Sequence, residues 1–411
     1  MNKFGIVGSI GLGLFFLFAC SSTTASPPKA AATETKSTTM PTKTTRVVAT
    51  PTPALTPMAT ATATATKILL QNTREPASFL LSEPGPYFAG NREVTLIDDS
   101  RSGREIKLLI WYPALKQTDA DGRSIVRDAV PDASNAPYPV IITEESSGKE
   151  IFLSHLATYG FVMVVVKDSR ETAQGVYTSI IGFQNARDFL FSLDQISANP
   201  PDGLENLFDT NRVGVTGYSY GGDISLMISG ARIDPEFYLS QCENISSLVS
   251  ESFQWVYTDY YCQDARHWDE FINFMGDEIT SSDDGLWQPL TDKRIQAVMP
   301  MASTMSWFYG DRGLAVVDRP TLLIWGTKDE VYSTEAEYTF EHLINSDRYL
   351  ISFIGNSHFL PMTEYGALRL KHFATAFFGY YLQDHEDYAY YFSEEFVSQF
   401  DDLAWGVYSD E

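Results

Sequence analysis

The stretch RVGVTGYSYGGDISL, residues 212–226, sets a lone serine, Ser219, between Gly217 and Gly221 directly after a short run of β-formers. A G-x-S-x-G pattern between strand and helix is the signature of a nucleophile elbow, in which the serine occupies a sharp, strained corner. Gly217 and Gly221 have no Cβ, so a following helix can pass close behind the strand. Val213 and Val215 suit a buried strand, and residues 223–230 can continue as a helix. Glycines also flank serines in ordinary tight turns, so the pentapeptide takes its meaning from the rest of the chain.

Around this stretch, short aliphatic runs alternate with helical segments. PVIIT (139–143) and FVMVVV (161–166) precede it, and AVMPM (297–301), TLLIW (321–325) and YLISFI (349–354) follow it. Helical patterns occupy 151–159 and 186–196. Near-continuous aliphatic strands separated by helices predict an α/β fold, with a mostly parallel sheet covered on both faces. Residues 85–114 hold two alternating runs with Ser102 and Gly103 at the turn, the pattern of an N-terminal β-hairpin. Residues 231–292 break the alternation and read as an inserted helical cap. Their aromatics, among them Phe253, Trp255, Tyr257, Tyr260, Tyr261, Trp268, Phe271 and Phe274, either line an acyl pocket or form the cap's own small core, and the second is favoured.

A serine hydroxyl becomes nucleophilic when a neutral imidazole takes its proton and a carboxylate fixes that imidazole's tautomer. In open α/β sheets such groups gather at the C-terminal ends of the strands. GTKDE directly follows TLLIW and places Asp329 at that edge; GNSHF directly follows YLISFI and places His358 in the next loop. The order Ser219, Asp329, His358 is the one expected of an α/β-hydrolase. Glu330 is the rival acid, with its side chain expected to point the opposite way. His155, His342 and His372 fall in helical patterns, His267 in the cap and His385 in the acidic tail, so none competes with His358.

The chain of 411 residues begins MNK and continues with a short apolar run, 6–18, ending Leu17, Phe18, Ala19, Cys20. This resembles the lipobox of a bacterial lipoprotein signal peptide, with Cys20 lipidated after cleavage; the alternative is an ordinary secretory signal. Residues 21–66 are almost wholly Thr, Ala, Pro and Ser and carry too few large apolar groups to offset the entropy of ordering. The expected organisation is signal peptide 1–20, tether 21–66, core 67–230, cap 231–292 and core 293–411. The last part closes in an acidic helix whose Phe392, Phe396, Phe400 and Leu403 share one face. The expected location is extracytoplasmic, with a membrane as partner through the lipid on Cys20. A net charge of −24 argues against nucleic acid and against docking on anionic lipid. Cys242 and Cys262 form an even pair in an exported chain and are expected to bridge, with two buried thiols as the alternative. No zinc spacing, EF-hand loop, Walker pattern or dinucleotide glycine pattern occurs, so neither metal nor cofactor is expected.

Beyond single motifs, residues 85–381 apart from the cap resemble the α/β-hydrolase branch of platelet-activating-factor acetylhydrolases and dienelactone-hydrolase-like esterases. The resemblance rests on Gly85-Pro86-Tyr87 leading to Trp111-Tyr112-Pro113, and on Arg187-Asp188. It rests also on the elbow Gly217-Tyr218-Ser219-Tyr220-Gly221-Gly222, on Gly326-Thr327-Lys328-Asp329, and on Ser357-His358-Phe359. It implies a serine esterase acting on small-molecule or lipid esters of short acyl chains, with Ser219 as nucleophile, Asp329 as acid and His358 as base. The oxyanion donors implied are the backbone N–H groups of Tyr220 and of Ser147 or its neighbour. One departure stands out: where the family carries Ser-His-Gly-x-Gly, this chain reads Glu144-Glu145-Ser146-Ser147-Gly148. Losing one oxyanion donor costs about 3 kcal/mol. That departure motivates the alternative of a surface binding module whose catalysis has decayed.

Overall fold

The computed structural model describes residues 78–145, 150–167, 178–245, 258 and 261–409. Cys20, the tether and Ser147 lie outside them. Among the described residues, nine strands form a single sheet in the order β1-β2-β4-β3-β5-β6-β7-β8-β9. β1 (Phe88–Asp98) and β2 (Arg104–Ala114) make the hairpin expected at Ser102 and Gly103, whose φ angles are +61° and +72°. β2 then runs antiparallel to β4 (Val162–Val166). From β4 through β3 (Tyr138–Glu144), β5 (Phe208–Tyr218), β6 (Ile295–Met301), β7 (Thr321–Gly326) and β8 (Arg348–Phe353) every pairing is parallel. This is an α/β-hydrolase fold.

The strands are buried on both sides, and the glycines of β5 show why. A Cβ on Gly214 would stand 2.6 Å from the Phe378 ring of the helix Glu364–Gln383. Three residues on, and therefore facing the opposite side, Gly217 meets the returning helix α3 (Tyr220–Ile228). Helices thus cover both faces, and β4 and β7 contain no charged residue. α1 (Glu150–Thr158) and α2 (Thr178–Ala198) fill the crossovers. Asp188 of α2 ties the hairpin down: Arg104 grips its carboxylate through Nε (2.8 Å) and Nη2 (2.7 Å), and Arg101 adds Nη1 at 2.7 Å.

Helices also fill the interruption, beginning with α4 (Pro235–Glu243) and continuing through Gln263–Arg266, Trp268–Met275 and Asp277–Thr280. Its described aromatics do not form the separate core expected of them but join the main one, where Phe271 packs against Phe183 of α2 and against Phe308. Trp268 stacks on Trp287 at 5.4 Å, and Phe271 packs against both. Phe253, Trp255, Tyr257 and Tyr260 lie outside the described residues.

The acidic tail departs from the single helix read from its spacing. It forms a 3-10 segment (Glu386–Phe392), one α-turn (Glu394–Val397) and an edge strand, β9 (Leu403–Trp405), antiparallel to β8. Ser393 breaks the run because its hydroxyl accepts from Phe396 N–H and starts a new turn. Phe392, Phe396 and Leu403 are buried all the same, brought inward by three short elements instead of one face.

Two buried histidines hold the entry to the fold. His155 Nε2–H donates to the carbonyl of Leu81 at 2.8 Å, and Leu81 N–H donates to His372 Nδ1 at 3.2 Å. The second bond needs a neutral ring, and burial keeps both rings neutral. It pushes His155 down to about 4 and His372 to about 3 from the ordinary 6.5. Below pH 6.5 the unfolded chain takes up these protons and the fold does not, so stability declines from there toward pH 4. Urea unfolding at pH 7 and pH 5 tests this. His372→Gln, which keeps an acceptor for Leu81, is expected to lose less stability over that interval than the parent chain; an equal loss would exclude the imidazole as the responsible group.

Candidate active site

The site sits where β5, β6, β7 and β8 end on the same edge. β5 stops at Tyr218, and Ser219 turns the chain with φ +55° and ψ −118° before α3 begins. Such a conformation costs a non-glycine residue about 1–3 kcal/mol and persists only when its surroundings enforce it. They do so here. Ser219 N–H donates to Met301 O of β6 at 2.8 Å, and its carbonyl accepts from Asp223 N–H at 3.0 Å. A Cβ on Gly217 would lie 2.0 Å from Gly221 O, and one on Gly222 would lie 2.6 Å from Met301 O. The hydroxyl is left half-buried and pointing off the sheet edge.

Asp329 comes three residues after β7 and His358 five residues after β8. The two loops are sewn together: Lys328 N–H donates to Asn356 O (2.8 Å), Thr327 N–H to Phe353 O (3.1 Å), and Gly355 N–H to Thr327 Oγ1 (2.9 Å). Gly326 permits this closeness, since a Cβ there would stand 2.2 Å from Asn356 O. Behind the imidazole, Tyr218 donates its O–H to His358 O at 2.6 Å.

These constraints bring the three side chains together in series. His358 Nε2 is 2.9 Å from Ser219 Oγ, and His358 Nδ1 is 2.7 Å from Asp329 Oδ2. Asp329 Oδ1 accepts from Val331 N–H at 3.3 Å, which turns the carboxylate toward the ring. The Asp329 side chain is 2% exposed, so its charge reaches the imidazole with little screening. Burial opposes protonation of His358, but the hydrogen bond and charge of Asp329, with smaller contributions from Asp223 and Glu330, outweigh it and hold the imidazole above its ordinary value. Glu330 itself is exposed.

Tyr220 opens α3, so its N–H belongs to the first turn of that helix directly beside the serine. Of the two glutamates of the departing loop, Glu145 is exposed and its charge acts on Lys167, while Glu144 is buried at the end of β3. Cys242 and Cys262 are joined in a disulfide. Close to Asp329 in sequence, Val331 packs with Trp307 and with Ile245 and Tyr261 of the cap, forming a small apolar cluster. No group of side chains with metal-ligating geometry occurs among the described residues.

Asp223 and Tyr261 escape a reading by strand ends, and Thr304, though three residues after β6, has no chemistry that singles it out. Asp223 carries a visible signal, being a carboxylate in the otherwise apolar and small-residue run GGDISLMISG. Thr304 and Tyr261 carry none, because their relation to it exists only across the fold.

The elbow's packing yields a direct expectation. Gly217→Ala forces a methyl group into the α3 backbone, where no flexible side chain can yield, and should cost about 3 kcal/mol or more. Thermal unfolding measures it; a loss below about 1 kcal/mol would mean that α3 can move away from β5.

No protein-family model matches this chain, and no curated protein matches it. Among solved structures it is similar to a ferulic acid esterase from Streptomyces cinnamoneus, with 14% sequence identity and a TM-score of 0.46, over 74% of this chain and 93% of that one.

Proposed function

We propose that this chain is a serine carboxylic-ester hydrolase working through an acyl-enzyme, with short acyl esters as substrates. One observation carries the reading: a hydroxyl on a strained elbow, an imidazole at 2.9 Å and a buried carboxylate at 2.7 Å, arranged in series. In this reading Ser219 Oγ attacks the ester carbonyl as its proton passes to His358 Nε2. Asp329, on Nδ1–H, holds the tautomer and stabilises the imidazolium. The protonated ring then donates to the departing alkoxide. A water deprotonated by the same nitrogen attacks the acyl-enzyme, releasing the acid and restoring Ser219. Tyr220 N–H and an N–H near Ser147 would receive the developing oxyanion. The preference for short acyl groups rests on the resemblance to acetylhydrolases.

Cleavage before Cys20 and lipidation of its sulfur would leave this hydrolase outside the cytoplasm, attached to a membrane through the Thr/Ala/Pro-rich tether. Surface charge of the same sign as acidic lipid makes the anchor the membrane attachment on this reading.

A fluorophosphonate should label the parent protein and leave Ser219→Ala unlabelled. A folded parent chain that takes no label would remove the reading. Asp329→Asn should reduce turnover of p-nitrophenyl acetate by about 10⁴-fold, since the imidazole then loses its tautomer restraint. Turnover should fall from acetate and butyrate to longer p-nitrophenyl esters; a preference for long chains would overturn the short-acyl assignment. Cys20→Ser should move the protein from the membrane to the soluble fraction, and continued membrane association would argue against the lipid anchor.

A further inference from the structure

Asp223 lies one turn into α3, its N–H bonded to the carbonyl of Ser219 at 3.0 Å. Its carboxylate is buried and accepts from Thr304 N–H at 2.5 Å and from Thr304 Oγ1–H at 3.2 Å, with Met305 N–H also directed to it. Thr304 Oγ1 in turn receives the O–H of Tyr261 at 2.5 Å. Tyr261 belongs to the cap and precedes Cys262, whose sulfur is bonded to Cys242 of α4. A hydrogen-bonded series therefore runs from a cap phenol, through the loop after β6, to a carboxylate beneath the serine. The loop is clamped a second time two residues on, where the buried Glu335 accepts from Ser306 N–H at 3.0 Å.

Three donors, Thr304 N–H, Thr304 Oγ1–H and Met305 N–H, satisfy this buried carboxylate and fix where its charge sits when it is ionised. Burial raises Asp223 to about 7, and the Thr304 bonds, then the charge of His358, offset this only in part. The effect is mutual, since Asp223 is among the charges that raise His358.

We propose that Asp223 is a positioning residue for His358: a second buried carboxylate, seated by Thr304 and through it by Tyr261 of the cap, that favours the imidazolium formed during turnover. This rests on the reading of Ser219 as nucleophile. It makes the cap part of the electrostatics of the site, because Tyr261 polarises the Thr304 hydroxyl toward the carboxylate.

The described neighbouring elements bring these groups. α2 brings Asn185, which is neutral and donates to Tyr220 Oη at 3.2 Å. β3 ends in the buried Glu144, and the segment after β6 brings Thr304, Met305 and the buried phenol of Tyr309, which burial and then Asp223 raise. His358 faces Asp329, Asp223 and Glu330 as charges.

The test is the rate of fluorophosphonate labelling between about pH 5 and 9, a range that brackets the ordinary histidine value. Labelling requires a neutral imidazole, and Asp223 ionises in the same range, so the parent's rise belongs to the pair; removing the carboxylate lets the ring lose its proton at lower pH. Asp223→Asn keeps an acceptor for Thr304 N–H and should move the midpoint to lower pH by about half a unit or more. Tyr261→Phe should move it in the same direction by less. A midpoint unmoved in folded D223N, or in Y261F should D223N not fold, overturns the proposal and leaves the serine reading standing. A slower rate at an unchanged midpoint would mark a purely structural role and overturns it likewise. Parent protein that takes no label removes both.

Discussion

Ser219 is held with φ +55° because two backbones press on one corner: β6 takes its N–H, and the first turn of α3 takes its carbonyl. The rest of the site is arranged around that strained residue. If the corner relaxed into an ordinary strand-to-helix connection, the hydroxyl would turn away from the edge and the 2.9 Å approach to His358 would be lost. The glycines on either side are the means. Gly217 lets α3 double back within 2.0 Å of where a Cβ would be, and Gly222 lets the same helix press on Met301. The strain persists because the corner is held between parallel strands buried on both faces, which have no easy way to yield.

Asp329 and His358 depend on a different constraint. Neither Asp329 nor His358 is placed by a regular element; both lie in loops, where side chains usually wander. Three backbone-directed bonds between the loops, together with the bare Gly326, make one rigid unit of the two. Tyr218 adds a tie from the elbow strand to the carbonyl of His358, so Ser219 and His358 share a strut besides their own hydrogen bond. The imidazole is oriented at both nitrogens and at its backbone.

Charge is distributed unevenly in this acidic chain. Most carboxylates stay at the surface or in ion pairs, such as Asp188 with Arg101 and Arg104. Among the exceptions, Asp329, Asp223, Glu144 and Glu335 are all buried toward the edge of the sheet that carries Ser219. Burial lowers the proton affinity of His358, but the hydrogen bond and charge of Asp329, with smaller contributions from Asp223 and Glu330, raise it on balance. Among the described residues of the cap, Tyr261 reaches Thr304 with its phenol; it precedes the disulfide-bonded Cys262 and packs with Trp307 and Val331.

The alternation of aliphatic runs with helical patterns is enough to read a mostly parallel α/β sheet with a hairpin at its start, and the residues after each run are enough to nominate Ser219, Asp329 and His358. Those are local properties: β-branched runs bury on both faces wherever they sit, and a loop after a parallel strand opens onto the same edge as its neighbours. The tail shows where spacing fails. Phe392, Phe396, Phe400 and Leu403 recur at helical intervals, yet nothing in that period shows that Ser393 caps a new turn or that Leu403 finds an open strand edge on β8. Tertiary structure alone decided that Asp329 and His358, far along the chain, meet Ser219, and that Asp223 answers to Tyr261 through Thr304. Hydrogen bonds between side chains distant in sequence depend on packed distances of a few tenths of an ångström, and no periodicity in a chain records them.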